Sequence, residues 1–193
     1  MRQNRPLPDT HPEFSVIEWP GFREYKVENW RLARNGSGRV ICNTTTWSWV
    51  DPCFPLFVAL FWSKIRGSVM FSLLTGAVLV VALWFRCNQV LYESVLVFPA
   101  LGIQLETHRG HPSLEPFFVS RRFIHTSCLE DCVIHEGLRR WNVRYFLAAF
   151  KRPSSGTISI HVAFENILPY FPVLREVYLG VQDMMFPQEP EKN

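Results

Sequence analysis

Four potential metal ligands stand close together in the second half of the chain: His125, Cys128, Cys132 and His135. Zinc prefers histidine nitrogen and cysteine sulfur, and a structural zinc ion takes four such ligands in a tetrahedron. On a continuous helix these side chains share one face but spread over about 15 Å, and on a strand they spread further. Only a tightly looped segment would close them around one ion. The sequence therefore favours small apolar roles for the cysteines and predicts no bound metal or cofactor.

Other catalytic motifs are missing from the sequence. The chain has no glycine-rich phosphate loop, no Gly-x-Ser-x-Gly nucleophile elbow and no His-Glu-x-x-His motif. It also has no paired acidic motif typical of metal-dependent glycosyl transfer. Isolated carboxylates such as Asp131, Glu136 and Asp183 are more often solvated or ion-paired than catalytic. The sequence therefore predicts a protein without catalytic residues of its own.

Basic side chains offer a different binding chemistry. Five arginines lie within one part of the chain: Arg121, Arg122, Arg139, Arg140 and Arg144. Basic clusters beside a membrane anchor attract anionic lipid headgroups. Two interpretations stay open, a phosphoinositide site and an ordinary solvated face, and the second is the more common.

Length, charge and cysteine content limit the kind of protein to which these residues belong. A chain of 193 residues holds one folded domain and a short anchor. Its net charge of +3 is too weak to indicate nucleic-acid binding without a basic stripe. Five irregularly spaced cysteines do not resemble a disulfide framework, which favours a reducing, cytosolic environment. The first thirteen residues contain no apolar stretch, so we expect membrane insertion to use an internal segment.

The clearest apolar segment runs from Val69 to Phe85 and contains no charged residue. As a helix it is just long enough to cross a hydrocarbon core of about 30 Å. Ser72 and Gly76 are four residues apart on one face, a spacing of small residues that lets a neighbouring helix approach closely. We therefore expect a membrane helix with a packing partner. The alternative is a core helix of a soluble protein, which is usually shorter or carries a polar stripe.

The expected packing partner is the aromatic segment from about Thr44 to Trp62. Asp51, Pro52 and Pro55 interrupt it, so the prolines should kink its first half and the carboxylate must avoid the hydrocarbon. The short linker 63–68 permits a tight helical hairpin, and the flanking arginines slightly favour cytosolic termini. The predicted parts of the chain are an N-terminal arm (1–43), a hydrophobic hairpin (44–86, with segments at about 44–62 and 69–85), a main domain (87–186) and a disordered tail (187–193).

After Arg86 the pattern changes to short runs that alternate between apolar and polar residues. We predict strands over 94–98, 102–106, 117–119, 142–150 and 157–164. A turn at Pro99–Leu101 should join the first two strands as a hairpin, and Thr107–Glu115 should be a loop. In the last strand, apolar residues at every second position from Ile158 to Phe164 predict a half-buried face.

The last element has a helical period. Apolar side chains from Leu174 to Met185 form one stripe, which begins near Pro172 and must end before Pro187. Antiparallel strands followed by one helix are the element order of a pleckstrin-homology-like barrel, although a simpler α+β sandwich has the same order. We therefore predict an α+β membrane protein, with a transmembrane helical hairpin followed by a pleckstrin-homology-like antiparallel β domain and a C-terminal helix.

The C-terminal half resembles the PIG-H family, whose members are components of the phosphatidylinositol N-acetylglucosaminyltransferase complex. The similar stretches are Glu93–Glu106, Phe117–Ser120, Asp131–Leu138 and Val143–Ala149. The most specific pieces are Leu-Gly-Ile-Gln at Leu101–Gln104 and Val-Ile-x-Glu-Gly at Val133–Gly137. The family also has a hydrophobic hairpin before this region. His135 departs from the family, which usually has asparagine there.

The resemblance implies an accessory subunit of the endoplasmic reticulum membrane, with its main domain and both termini in the cytosol. The complex transfers N-acetylglucosamine from UDP-GlcNAc to phosphatidylinositol, the first step of GPI-anchor biosynthesis. The implied partners are the catalytic glycosyltransferase subunit, the other subunits and the lipid bilayer, with no nucleic acid. The accessory chain would keep the catalytic subunit in position at the membrane. The alternative is a free-standing, membrane-anchored module that binds phosphoinositides.

Motif positions supply the candidate site residues, which are expected to support the fold or to contact a partner. They are Leu101, Gly102, Gln104, Ile134, Glu136, Gly137 and Tyr145. Gly102 is expected where any side chain would clash as the chain passes from the turn into the strand.

Overall fold

Antiparallel strands make up most of the protein outside its apolar helices. The computed structural model describes residues 2–33, 39–42, 44, 50–139, 141–152 and 156–186. The strands are β1 (Arg2–Asn4), β2 (Phe14–Trp19), β3 (Phe22–Glu28), β4 (Trp30–Leu32), β5 (Val40–Cys42), β6 (Gln89–Phe98), β7 (Gly102–Gly110), β8 (Phe118–His125), β9 (Leu129–Arg139), β10 (Asn142–Lys151) and β11 (Ser159–Ala163). The helices are α1 (Val50–Leu60), α2 (Trp62–Gly67), α3 (Val69–Cys87) and α4 (Phe171–Met185).

Two larger sheets and one small one hold these strands. The first sheet has the order β1-β2-β3-β6-β7-β8, the second has the order β11-β10-β9, and β4 pairs with β5 alone. A 3₁₀ turn at Thr126–Cys128 joins the two larger sheets, and α4 follows the last strand. The prediction of a mixed α+β fold with antiparallel sheets and a C-terminal helix is confirmed.

The N-terminal residues are part of the main sheet. Strand β3 pairs with β6 from Arg23 opposite Val97 to Glu28 opposite Tyr92. Phe14, Tyr25 and Val27 are buried in the same core as the later strands. Residues of the predicted N-terminal arm (1–43) therefore contribute three strands, β1 to β3, to the main sheet. Because the partner strand lies beyond the apolar helices in the chain, the local pattern of β3 gave no sign of this pairing.

The core lies between the inner faces of the two sheets and α4. Helix α4 buries Val173, Leu174, Val177 and Val181 completely. The predicted apolar stripe is thus confirmed, and Pro172 lies in the first turn of the helix, where its missing N–H costs no hydrogen bond. Gly180 allows α4 to approach β3 closely, because a Cβ atom there would overlap the Tyr25 hydroxyl group.

Several strands differ from their predicted bounds. The hairpin of β6 and β7 is confirmed, but the loop predicted over Thr107–Glu115 is wrong for its first four residues, which continue β7 and pair with its neighbours. Strand β8 is longer than predicted, and β9 was not predicted. Of the apolar alternation predicted from Ile158 to Phe164, Ile158 and Ile160 are exposed, whereas Phe164, directly after β11, is buried. The sequence Pro153-Ser-Ser-Gly156 also predicts a turn before β11, and residues 153–155 lie outside the described part of the chain.

The helix α3 matches the predicted membrane segment. It has 19 residues, none of them buried, and it is the one helix in the described part of the chain that is long and apolar enough to cross a membrane. This exposure does not fit the alternative of a soluble core helix. Helix α1 has 11 residues, about 16 Å, which is too short to cross alone. Most of the predicted linker is helical in α2, and the extended Ser68 separates α2 from α3.

Candidate functional site

The Leu-Gly-Ile-Gln motif forms the tight connection between β6 and β7. The backbone N–H of Leu101 donates to the Phe98 carbonyl at 3.1 Å, and Thr126 N–H donates to the Leu101 carbonyl at 2.9 Å. Gly102 has a φ of +144°, and a Cβ atom there would overlap the carbonyl oxygen of Ile124 in β8. The structure thus gives the physical reason for glycine at this motif position. The Leu101 side chain is exposed.

An aromatic row crosses the outer face of the first sheet beside this turn. It consists of Trp19, Phe22, Phe98 and Phe123. Ring centroids lie 5.8 Å apart from Trp19 to Phe22, 5.1 Å from Phe22 to Phe98 and 6.4 Å from Phe98 to Phe123. Trp19 is 40% exposed and Phe123 is 46% exposed. Motif residue Gln104 lies opposite Phe123 in the register, so the motif and the aromatic row form one surface.

Local sequence reasoning missed the aromatic row because its members come from four strands spread over more than a hundred residues. Each aromatic residue by itself is an ordinary strand residue. The pairing of β3 with β6 brings Phe22 against Phe98, and that pairing crosses the apolar helices. Among local signals, only the concentration of aromatic residues at the ends of β2, β3 and β6 pointed to this surface.

A buried carboxylate joins the first sheet to the segment before α4. Glu93 in β6 is 2% exposed. Its oxygens accept hydrogen bonds from the Thr107 hydroxyl at 3.0 Å, the Asn166 side-chain amide at 2.7 Å, and the backbone N–H groups of Asn166 at 3.2 Å and Ile167 at 3.1 Å. Because donors surround it, the carboxylate is satisfied without water. Glu93 opens the motif region, yet sequence reasoning gave it no role.

A second carboxylate organises polar residues on the outer face of β7. Glu106 bonds the His108 ring at 2.8 Å and Arg121 at 2.9 Å, and the Gln104 amide donates to it as well. Burial alone would raise the pKa of Glu106, but the hydrogen bonds from His108, Gln104 and Arg121 outweigh burial and lower it. Glu106 therefore stays ionised at neutral pH. Gln104 of the motif thus supports a surface ion network.

The arginines described by the structure do not converge on one pocket. Arg121 is bound to Glu106, whereas the neighbouring Arg122 donates to the His161 ring at 3.2 Å. The Arg144 guanidinium lies over the Tyr170 ring, 5.8 Å from its centroid. Burial, followed by Arg122 and Lys151, lowers the pKa of His161, which leaves the ring neutral and able to accept the arginine hydrogen bond. The Arg139 side chain and Arg140 lie outside the described residues.

The second motif, Val-Ile-x-Glu-Gly, lies on β9 against β10. Ile134 packs against the core, and Gly137 makes room for a ring, because a Cβ atom there would lie 2.9 Å from Phe146. Glu136 and Tyr145 lie directly opposite each other and are exposed. Their hydrogen bond raises the pKa of the Tyr145 hydroxyl. The motif therefore has a packed half and an exposed half.

The four potential zinc ligands point in different directions. The His125 ring accepts a hydrogen bond from Ser127 N–H at 3.1 Å and so caps the 3₁₀ turn. Cys132 is buried in the core, whereas His135 lies on the other face of β9, against the rings of Phe146 and Phe150. No group of three or more metal-binding side chains forms within the described ranges. These residues have structural contacts instead.

Burial raises the pKa of the Cys132 thiol to about 12, with Asp131 adding to the effect. We expect Cys132 to react with iodoacetamide about a thousandfold more slowly than an ordinary thiol at pH 8, because only the thiolate reacts. The exposed Cys42 is the internal control. Alkylation of the folded chain followed by peptide mass spectrometry measures both rates. Equal labelling of Cys132 and Cys42 would contradict the buried position.

Within the described residues, helix α2 lies beside the small-residue pair of α3, at Ser72. Ser72 lines a shallow cleft with Trp62 and Arg66 of α2 and the extended Ser68. A Cβ atom on Gly76 would meet no described atom within 4 Å. Close packing of another helix at Ser72 and Gly76 stays a prediction.

Comparison with known proteins relates the chain to one family. Residues 94–165, which run from β6 through β11, match the family described as "GPI-GlcNAc transferase complex, PIG-H component". The chain is also 31% identical over 97 residues to phosphatidylinositol N-acetylglucosaminyltransferase subunit gpi15 of Schizosaccharomyces pombe. That alignment covers 50% of this chain and 56% of the relative, so the chain spans about half the length of the curated relative it matches. No solved structure matches the chain. The predicted resemblance to the PIG-H family is confirmed.

Proposed function

We propose that this chain is the PIG-H component of the complex that transfers N-acetylglucosamine from UDP-GlcNAc to phosphatidylinositol in GPI-anchor biosynthesis. The observation that carries the proposal is the family match over β6 to β11, the strands that hold both motifs. The similarity to the transferase subunit gpi15 supports the same assignment. Transfer to a lipid takes place at a membrane, and α3 is suited to hold the chain there.

The chain acts as a scaffold and not as the catalytic subunit. Glu93 and Glu106, the carboxylates most deeply enclosed by hydrogen bonds in the motif region, each bind groups of this chain and stabilise its fold. A carboxylate committed to such contacts is poorly placed to take a proton from a substrate. The chemistry then belongs to a partner subunit, which this chain holds near its lipid substrate.

The domain has a pleckstrin-homology-like arrangement. Strands β3, β6, β7 and β8 form one antiparallel meander, β9 to β11 form a second, and α4 closes the end. In this arrangement the apolar helices are an insertion between the first two strands of the first meander. Helices α1 to α3 form the membrane hairpin, in the endoplasmic reticulum, and both strand-bearing parts face the cytosol. That topology follows because β3 and β6 must lie on the same side to pair.

The aromatic row and Leu101 form the surface for a partner subunit. Aromatic side chains are enriched in the centres of protein interfaces, where they bury a large area with few rotatable bonds. Trp19, Phe123 and Leu101 are all exposed here and lie beside the family motif. A partner that covered them would remove this apolar surface from water, which favours association.

Affinity purification of the tagged full chain from detergent-solubilised membranes tests the assignment. We expect the complex to co-purify and to transfer N-acetylglucosamine from UDP-GlcNAc to phosphatidylinositol. Replacing Trp19 and Phe123 together by alanine should lower the recovered activity at least tenfold, because two anchors of about 1–2 kcal/mol each are removed. Ile158→Ala and Ile160→Ala together are a matched control, since these apolar side chains are also exposed but lie at β11.

Four outcomes separate the alternatives. Recovery of the chain without transferase activity or partner subunits would contradict the proposed function. Full activity of the Trp19 and Phe123 variant would leave the function standing and remove the aromatic row as the contact surface. Turnover by the purified chain alone would show an enzyme instead of a scaffold. Stronger binding of the chain to vesicles that contain phosphoinositides than to phosphatidylcholine vesicles, without any partner, would favour the free-standing lipid-binding module.

A further inference from the structure

The membrane helix enters the domain at one end of the first sheet. Helix α3 ends at Cys87 and β6 begins at Gln89, with only Asn88 between them. In the register, Gln89 lies opposite Gly110, the last residue of β7. The connection from β7 to β8 therefore begins beside the end of α3. We call residues 111–117 the β7–β8 loop.

Apolar side chains are exposed in this loop and at the start of β8. Leu114 is 60% exposed, Phe117 is 52% exposed and Phe118 is 54% exposed. Glu115 is the only ionised side chain between Pro112 and Ser120. Three large apolar side chains left in water within five residues mark a contact surface, because such patches cost hydration free energy.

The position of Phe118 indicates that this surface contacts the lipid bilayer. Its ring lies 6.5 Å from the ring of Trp84, which is in the last turns of α3. Tryptophan at the end of a membrane helix lies at the boundary between hydrocarbon and headgroups. Phe118 must then lie at the same depth. The exposed apolar surface of α3 thus continues without a gap onto the start of β8.

Two arginines lie at about the same membrane depth as Trp84 and Phe118. Arg109 is opposite Phe118 in the register, and its carbonyl accepts the Phe117 N–H at 2.9 Å. Arg86 follows Trp84 by two residues in the chain. Apolar side chains next to arginines fit a membrane surface, where the rings enter the boundary region and the guanidinium groups remain among the headgroups.

We propose that the β7–β8 loop and Phe118 insert into the bilayer interface beside α3, as a second membrane contact of the domain. The inference rests on the proposed membrane span of α3. The connection at Asn88 does not by itself fix how the domain tilts on the membrane, whereas a second contact beside α3 fixes one orientation. Phe123 lies five residues further along β8, about 16 Å from Phe118. The second contact therefore turns the aromatic row away from the lipid.

Site-specific photocrosslinking of the full chain in phosphatidylcholine and phosphatidylinositol nanodiscs tests this contact. Benzoylphenylalanine is placed separately at Phe117, at Phe123 and at Val80, and lipid adducts are measured by intact-protein mass spectrometry after illumination. Phe123 is the matched control, because it is a similarly exposed phenylalanine at the far end of β8. Val80, in the middle of α3, reports on the membrane span. We expect the lipid adduct at Phe117 to exceed that at Phe123 at least fivefold.

Each of the other possible outcomes contradicts one specific part of the proposal. Lipid adducts at Val80 with none at Phe117 would overturn the second contact and leave the anchor in place. No adduct at Val80 would overturn the anchor itself. Crosslinking of Phe117 to another protein copy would show a protein interface instead of a lipid contact. Benzoylphenylalanine at Leu114 gives a second probe of the same loop, and a shared thermal transition with the unmodified chain shows that each variant is folded.

Discussion

Replacing Gly102 by alanine is expected to cost about 4 kcal/mol of folding free energy, and replacement by valine to prevent assembly of the proposed transferase complex. The backbone φ of +144° is unfavourable for any L side chain. The new Cβ atom would also overlap the Ile124 carbonyl oxygen. A backbone atom in a paired strand cannot move aside by a rotamer change, so the hairpin must separate from β8 or shift its register.

Gly21→Ala is the matched control for this prediction. Gly21 has a φ of +98°, and a Cβ atom there would meet nothing within 4 Å among the described residues. The same substitution at Gly21 therefore carries only the conformational penalty, about 1–2 kcal/mol. Thermal unfolding of each variant in detergent, together with co-purification of the transferase subunits, measures both effects. A Gly102→Ala chain as stable as Gly21→Ala would show that the turn relaxes to accept a side chain.

Elements with a clear local period were predictable from the sequence. The uncharged run of α3 and the stripe on α4 need no knowledge of distant residues, and both are present with nearly the predicted bounds. The hairpin of β6 and β7 was predictable because a turn sequence separates two alternating strands. In these cases one local interaction, helical periodicity or a tight turn, decides the structure.

The parts of the fold that could not be predicted from the sequence depend mainly on pairing between distant segments. Strand β3 is short, and its buried Tyr25 and Val27 are separated from their partners on β6 by about 70 residues of chain. Strand β9 was missed for another reason. Its cysteine and histidine suggested metal chemistry, although Cys132 and His135 simply lie on the buried and exposed faces of a strand.

The candidate site also contains residues that could be predicted from the sequence and residues that could not. Gly102 could be assigned from the motif because a positive φ beside a turn is a local requirement, although its close approach to Ile124 of β8 is not local. The aromatic row and the cradle around Glu93 could not, since each joins residues of β6 to residues more than 70 positions away. A motif match identifies which strands matter, and tertiary contacts decide which of their side chains are buried supports and which face a partner.

In the proposed topology the apolar helices between β3 and β6 form a membrane hairpin, which places both strands on the same side of the bilayer, as their pairing requires. Phe22 and Phe98 come from the two sides of these helices in the chain, so the aromatic row forms only where β3 and β6 are paired.

The Glu93→Ala substitution is the second change expected to have a large effect, at about 4 kcal/mol of unfolding free energy. It leaves the Thr107 hydroxyl, the Asn166 amide groups and the Ile167 N–H without their acceptor, and of these residues only Asn166 is exposed to water. Each unsatisfied buried donor costs about 1–3 kcal/mol, partly recovered by local opening. Glu93→Gln should cost about half as much, since its carbonyl oxygen still accepts while its NH₂ group faces donors.

Glu130→Ala is the matched control, because Glu130 carries its charge at the surface in a 2.8 Å ion pair with Arg152. Surface pairs contribute about 0–1 kcal/mol, so this variant should unfold near the wild-type temperature. The Glu93→Ala chain should melt roughly 10 °C lower and be cut faster by trypsin after Arg175, since the lost bonds hold the segment that leads into α4. Equal melting temperatures for the two alanine variants would mean that the carboxylate is replaceable by water. A lower temperature with unchanged cleavage at Arg175 would place its effect in the sheet, away from α4.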